Sequence, residues 1–503
     1  MISFAGTGGG VWSVALQIAY VEGSVPGADL VLSLIIGLIV SLPFAVVYGW
    51  LASAMPRSGG DYVWSSRLLN PTFGFMFGWA AWACLEISLG GNTVLWGATA
   101  LPNTLSSFGY WSGNTSLVDL AASLSQTTSV VIAGLVLLVV CAVLAIQSRK
   151  RLSRIFAIFF ALIFLGSVAF CVILASSSHA DFVNALNGYG GTNLSYDSII
   201  SQAKTNGWSF TPIRWELTVA SLPMAMLGLA GFTNCSLTSG EVRNPRSNMV
   251  PVIVGSLMMV FGVTALGCWL SVNVLGNEFL QAVAHVGSAW PLVAPPWMPI
   301  FVTMLTHNLL LLVLVQAGFL TFFLFWTTSL YIINTRYVFA FAFDRVFPAS
   351  MAEVSDRFHG PVNATFFNFV AAAVLFVIAV YGTGGLSALL NGTTLTSIYT
   401  GAGCLVAIII PYTSKKGLVA HLPGSHWRVP LISIVGFIAF VLIGPLTFYY
   451  AVTVPAIGPS TPLSDVILVG ILIVGALVFA VRYYYLKLRG IDLGMVYKKI
   501  PPE

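Results

Sequence analysis

Two glycine clusters set into apolar runs carry the chemistry of this 503-residue chain. The first is Gly6, Gly8, Gly9 and Gly10 around Thr7; the second is Gly228 and Gly231, followed by Phe232 and Thr233, within Ser221–Pro251. Each glycine costs a helix about 1 kcal/mol relative to alanine. A membrane helix breaks at mid-depth only where the freed backbone lines a cavity. Such a break offers N–H groups at one half-helix N-terminus, which favour a carboxylate. It also offers carbonyls at a C-terminal end, which favour an ammonium. An amino acid carries both charges, so the expected site pairs Gly8–Gly10 with the carboxylate and Gly228–Thr233 with the ammonium. The competing role for the same glycines is close helix packing.

Three further groups sit at depth. Glu86 is an acid near the middle of an apolar span, where a charge costs about 2.5–3.5 kcal/mol on insertion scales. It is expected to contact a cationic substrate group or to relay a proton, against the alternative of a packing residue near Asn92. Thr327, Thr328 and Ser329 could hold a sodium ion, since hard cations prefer oxygen ligands; alternatively they bond helix carbonyls one turn back. Phe232 is placed to close over a substrate. No HExxH, GxSxG or paired carboxylates occur in the spans and no GxxxxGK[ST] occurs anywhere, which argues against a membrane enzyme and against ATP-driven pumping. No cofactor or metal is expected beyond a coupling proton or sodium ion. The six cysteines all lie in apolar spans without CxxC spacing, so neither a zinc site nor a disulfide framework is indicated.

These groups are positioned by a chain that is 57% hydrophobic and 7% charged, far from the quarter charged of soluble domains. The composition predicts an all-α polytopic membrane protein of twelve spans, approximately 2–21, 28–55, 73–100, 127–147, 153–176, 217–240, 249–275, 301–333, 361–382, 394–413, 429–452 and 464–486. The eighth window is too long for one helix, so part of it is expected in an external loop, as are 102–126 and 177–216. All 21 Lys and Arg except Lys204 and Arg214 fall on one side of this layout. The positive-inside rule then puts the even-to-odd loops and the C-terminus in the cytoplasm of a cell (plasma) membrane protein. The net charge of +5 is thereby an orientation signal, with lipid as the surrounding partner and no nucleic acid implied. Met1 opens directly onto apolar residues, and the expectation is that residues preceding it are missing.

Three stretches carry a family resemblance. They are PRSGGDYVWSSRLLNPTFGFMFGW (Pro56–Trp79), GLAGFTNCSLTSGEVRNP (Gly228–Pro245) and NTRYVFAFAFDRVFPASMAEVSDRFHGPVNA (Asn334–Ala364). They resemble the post-span-2 motif, the broken sixth helix and the loop helix after span 8 of the amino acid–polyamine–organocation transporters, most like archaeal and bacterial amino acid permeases. The resemblance implies a five-plus-five inverted repeat of the leucine-transporter type with helices 1 and 6 broken. The expected divisions are 1–176 (helices 1–5), 177–216 (external loop), 217–413 (helices 6–10), 414–486 (helices 11–12) and 487–503 (tail). It also implies a secondary transporter for amino acids, or alternatively for polyamines or other organic cations, and less readily a sensor or channel. Arg57, Gly59, Gly60, Asp61, Glu241, Arg336 and Asp344 match its cytoplasmic motifs and are candidates, with Arg243, for gate ion pairs across loops. Two departures stand out: Thr233 and Gly240 replace acids common in the family. Span 5 also lacks the lysine that stands in for sodium in some proton-coupled members.

Overall fold

The computed structural model describes residues 9–189, 194–229, 231–287, 290–358, 360–381, 392–447, 449 and 462–498. Among them every regular element is helical. In order these are α1 (Val11–Ser24), α2 (Leu30–Ala54), α3 (Gly60–Leu68), α4 (Pro71–Leu95), α5 (Leu101–Ser112), α6 (Thr115–Leu124), α7 (Thr127–Ala145) and α8 (Arg149–Ala175). There follow α9 (His179–Leu186), α10 (Tyr196–Thr205), α11 (Trp215–Ala220), α12 (Leu222–Leu229), α13 (Pro245–Leu275) and α14 (Asn277–Val286). The remainder are α15 (Met298–Met304), α16 (Leu309–Phe343), α17 (Val362–Tyr381), α18 (Gly392–Ile409), α19 (Leu431–Val441), α20 (Pro462–Leu488) and α21 (Leu493–Lys498).

Eight helices among the described residues are long and apolar enough to cross a membrane: Leu30–Ala54, Pro71–Ser112, Thr127–Ala145, Arg149–Ala175, Pro245–Leu275, Leu309–Phe343, Val362–Tyr381 and Val469–Leu488. Their outward faces expose Ile39, Ile132, Ile158, Trp269, Phe366 and Ile378, each more than half accessible. Surface apolar residues on so many helices suit lipid rather than water. The chain is therefore a multi-pass integral membrane protein. Among the described residues none of the six cysteines forms a disulfide.

Two expectations change on folding, and a third, that the eighth window is more than one helix, is met. The loop expected at 102–126 is helical: a π-turn at Trp96–Ala100 carries α4 into α5, and α6 follows directly. The eighth window starts with a short α15 and then breaks, and Asn308 caps α16 by accepting from the amides of Leu310 and Leu311. Asn308 is thus a helix cap, satisfying donors that have no partner within the helix. At its other end α16 continues through Asn334–Phe343, where a separate loop helix was expected. No proline or glycine interrupts Tyr337–Phe343, and its residues up to Ala342 are buried, so the helix has no reason to stop before Asp344.

Candidate functional site

The described glycines of both clusters sit at helix ends: Gly10 at the start of α1 and Gly231 beyond the end of α12. Gly10 adopts φ 82° and ψ −143°, a conformation that side chains strain to reach, and it N-caps α1. A Cβ there would lie 2.2 Å from Ser167 Oγ on α8, so α8 packs against bare backbone. Ser13 Oγ donates to the Gly10 carbonyl at 2.8 Å, which leaves Thr264 Oγ1 as the donor in its 2.6 Å contact with Ser13 Oγ. Three elements, α1, α8 and α13, thereby meet at the start of α1. Gly9 lies in the turn just before it. Thr7 and Gly8 lie outside the described residues.

The second cluster lies at an interruption between α12 and a 3-10 turn at Asn234–Glu241. Gly231 takes φ 90° there. Phe232 is buried and meets Phe44 of α2 edge-on, ring centroids 5.5 Å apart. Gly228 faces α1: a Cβ on it would lie 2.7 Å from Gln17 Oε1. Gln17 is 1% exposed, and neither of its amide atoms has a hydrogen-bond partner. The signal for Gln17 in the sequence is its amide inside an apolar span.

Glu86 belongs to a separate polar cluster between α4 and α16. It is buried, and its Oε1 accepts from Asn334 Nδ2 at 2.8 Å, while Oε2 has no partner. Asn92, its expected neighbour, instead donates to Thr327 Oγ1 at 2.7 Å. Thr328 and Ser329 donate to the carbonyls of Leu324 and Phe325, one turn back. Thr327 thus accepts from α4, and Thr328 is also met by Cys141 of α7.

The motif residues converge at one end of the bundle. Gly59 (φ 88°) and Gly60 turn the chain into α3 and let it touch its neighbours closely. A Cβ on Gly59 would meet Ala340 at 2.6 Å, and one on Gly60 would meet the Ser236 carbonyl at 3.1 Å. The Gly59 amide donates to the Leu237 carbonyl at 3.3 Å. This turn thus joins the segment after α12 to the far end of α16.

Two ion pairs close around it. Arg336 pairs with Glu241, which Arg149 also approaches at 3.4 Å. Arg67 holds Asp344 through both prongs, at 2.7 and 2.5 Å, and the two side chains are 1% and 2% exposed. Tyr62 Oη donates to the same carboxylate. Asp61 takes hydroxyls instead of a cation, from Tyr337 at 2.8 Å and Tyr48 at 3.5 Å. Burial raises its carboxyl to about 6, partly offset by those hydroxyls and the Tyr62 amide. Arg57 Nη1 donates to its neighbour's carbonyl, and Arg243 is exposed. A cavity of about 750 Å³ lies between these groups, lined by Arg57, Arg67, Arg149, Glu241, Arg336 and Asp344 among others. Of the expected gate residues the structure pairs Arg336 with Glu241; Asp344 pairs with Arg67, which nothing local in the sequence distinguishes from the other positive-inside charges.

The sequence has known counterparts. The family described as amino acid permease matches residues 3–488. The chain is 24% identical over 475 residues to the glutamate/serine transporter AimA of Bacillus subtilis, covering 89% of this chain and 80% of that protein. It is 22% identical over 441 residues to the branched-chain amino acid permease BcaP of Lactococcus lactis, covering 86% and 83% respectively. It is 23% identical over 406 residues to the vacuolar cationic amino acid transporter 4 of Arabidopsis thaliana, covering 78% of this chain and 59% of that one. The family and these relatives indicate membrane transport of amino acids rather than enzymatic chemistry. The chain belongs to the amino acid permease family, within the amino acid–polyamine–organocation transporters.

Proposed function

We propose that this permease is a secondary active transporter that moves amino acids by alternating access. The observation that carries the reading is the pair of positive-φ glycines, Gly10 at the start of α1 and Gly231 after α12. Substrate binds there, its carboxylate at Thr7–Gly10 and its ammonium at the Gly228–Thr233 backbone, with Phe232 closing over it. The full architecture in this reading has twelve spans in a five-plus-five inverted repeat over 1–176 and 217–413, with 414–486 outside the core. The end carrying Arg57, Arg67, Arg149 and Arg336 faces the cytoplasm of the cell membrane, as the distribution of positive charge favours. There the Arg336–Glu241 and Arg67–Asp344 pairs form the inner gate.

Coupling is carried by a proton at Glu86 or by sodium at Thr327 and Thr328. Replacing sodium by choline in the uptake medium separates the two. The test of the substrate class is a thermal-shift panel of L-amino acids and polyamines on purified protein. A ligand that binds only the native state at 100 times its Kd adds about 2.7 kcal/mol of stability. A shift with amino acids supports the reading. A shift with putrescine or spermidine alone would favour organic cations, with Glu86 as their counter-ion. No shift with either class would sink both.

A further inference from the structure

The C-terminal helix ends on the buried ion pair. α20 stops at Leu488, and Gly490, at φ 75°, reverses the chain through bonds from its own amide to the Lys487 carbonyl and from Ile491 to Leu486. This is the hydrogen-bonded reversal that commonly terminates helices. It lays α21 back against α3, with Leu493 1% and Tyr497 4% exposed. The Tyr497 ring packs on Phe479 of α20 at 6.0 Å. Its hydroxyl lies 3.2 Å from Tyr62 Oη. Tyr62 has one proton, and it goes to Asp344. The contact between the tyrosines therefore has Tyr497 as donor, giving a chain from Tyr497 to Tyr62 to Asp344. The Arg67 guanidinium also sits 4.9 Å from the centre of the Tyr497 ring and 5.8 Å from that of Tyr62. Both charges of the pair are thus touched by the tail, the cation through the ring and the anion through the hydroxyl relay.

Nothing in a transport site between α1 and α12 requires such a contact. Tyr497 instead completes the environment of a charge pair that has left water. A buried pair depends on every remaining hydrogen bond and dipole to offset desolvation, and cation–π contact strengthens when the cation is desolvated. We infer that Tyr497 is a positioning residue of the inner gate, so that α21 must stay docked for the Arg67–Asp344 pair to hold the gate shut. Undocking the tail biases the transporter toward the open gate. This rests on the reading of the Arg67–Asp344 pair as a gate.

The native Cys235 reports the state of the gate, because it lines the cavity beside these charges and is 6% exposed here. The experiment alkylates full-length protein in membrane vesicles with N-ethylmaleimide and measures the rate at Cys235 by peptide mass spectrometry. Wild type, Tyr497→Phe, Tyr497→Ala and Asp344→Asn are compared, with size-exclusion profiles to confirm folding. The expected rates rise in the order wild type, Tyr497→Phe, Tyr497→Ala. Phenylalanine keeps the ring and loses the relay, so about a threefold rise is expected; alanine loses both, and about tenfold is expected by the independence of the two contacts. If Asp344→Asn accelerates labelling and neither Tyr497 variant does, the pair is a gate and the tail has no hold on it, which overturns the inference alone. If no variant changes the rate, the gate reading falls and the inference falls with it. Should Tyr497→Ala fail to fold, Tyr497→Phe at the wild-type rate would still refute the relay.

Discussion

Arg67 and Asp344 stand 277 residues apart in the chain, yet their side chains meet in a two-pronged bond at 2.7 and 2.5 Å with almost no exposure. Losing one member strands the other charge in a dry environment. Arg67→Ala or Asp344→Ala alone is expected to cost about 3–5 kcal/mol of stability. A paired replacement by apolar residues of similar size, Arg67→Met with Asp344→Leu, should cost markedly less than the sum, because no orphan charge remains. Thermal unfolding of the four proteins in one detergent checks this; additive losses would contradict the coupling.

Asp61 supplies a pH signature. Its carboxyl is raised from 3.8 to about 6 by burial. A group whose folded value is the higher one binds its proton more tightly in the native state. Its contribution is therefore complete below about pH 4 and is lost as pH rises through about 6. Wild type should lose thermal stability across that window relative to Asp61→Asn, which cannot titrate. Parallel pH profiles for the two proteins would show that Asp61 ionises normally.

The Gly10 site predicts an ordering of substitutions. Gly10→Ala must adopt a strained backbone, costing about 1–3 kcal/mol, and its methyl would lie 2.2 Å from Ser167 Oγ. Gly228→Ala meets only the movable end of Gln17. Uptake and thermal stability should fall further for Gly10→Ala than for Gly228→Ala. Adding Ser167→Gly should recover only part of the Gly10→Ala loss, since it relieves the clash and leaves the strain. Complete recovery would mean that φ at Gly10 imposes no cost.

Glu86 is tested by Glu86→Gln. The amide oxygen can still accept from Asn334, so the fold should persist, while the titratable proton is gone. The expected outcome is a changed pH dependence of amino acid uptake or a changed substrate preference. Unchanged kinetics at every pH would leave Glu86 as a packing residue.

Gln17 extends the same logic to a group found only in the structure. Its buried amide has no partner, and an unsatisfied buried polar group costs about 1–3 kcal/mol. Gln17→Leu is expected to stabilise the substrate-free protein while weakening uptake of amino acids with polar side chains more than apolar ones. Equal effects on both kinds would argue that Gln17 does not face the substrate.

The sequence by itself determined what depends on neighbours in the chain. Apolar runs fix membrane spans because each must satisfy its own backbone hydrogen bonds in lipid. Gly10 marks the start of α1 and Gly231 lies beyond the end of α12 because glycine readily adopts positive φ. Pro56–Trp79 and Gly228–Pro245 were recognisable as motifs because their glycines and prolines act locally. Tertiary structure decided the rest. Nothing local distinguishes Arg67 from the other basic loop residues; its role comes from Asp344, brought beside it by the long run of α16. Likewise Asn334 reaches Glu86 because α16 continues past the point where a loop was expected, and burial there follows from neighbouring helices. The third case is Tyr497, an ordinary tail tyrosine until Gly490 folds α21 back onto α3. Pairings across hundreds of residues leave no periodicity to read, because the helices that create them are set by packing and not by spacing along the chain.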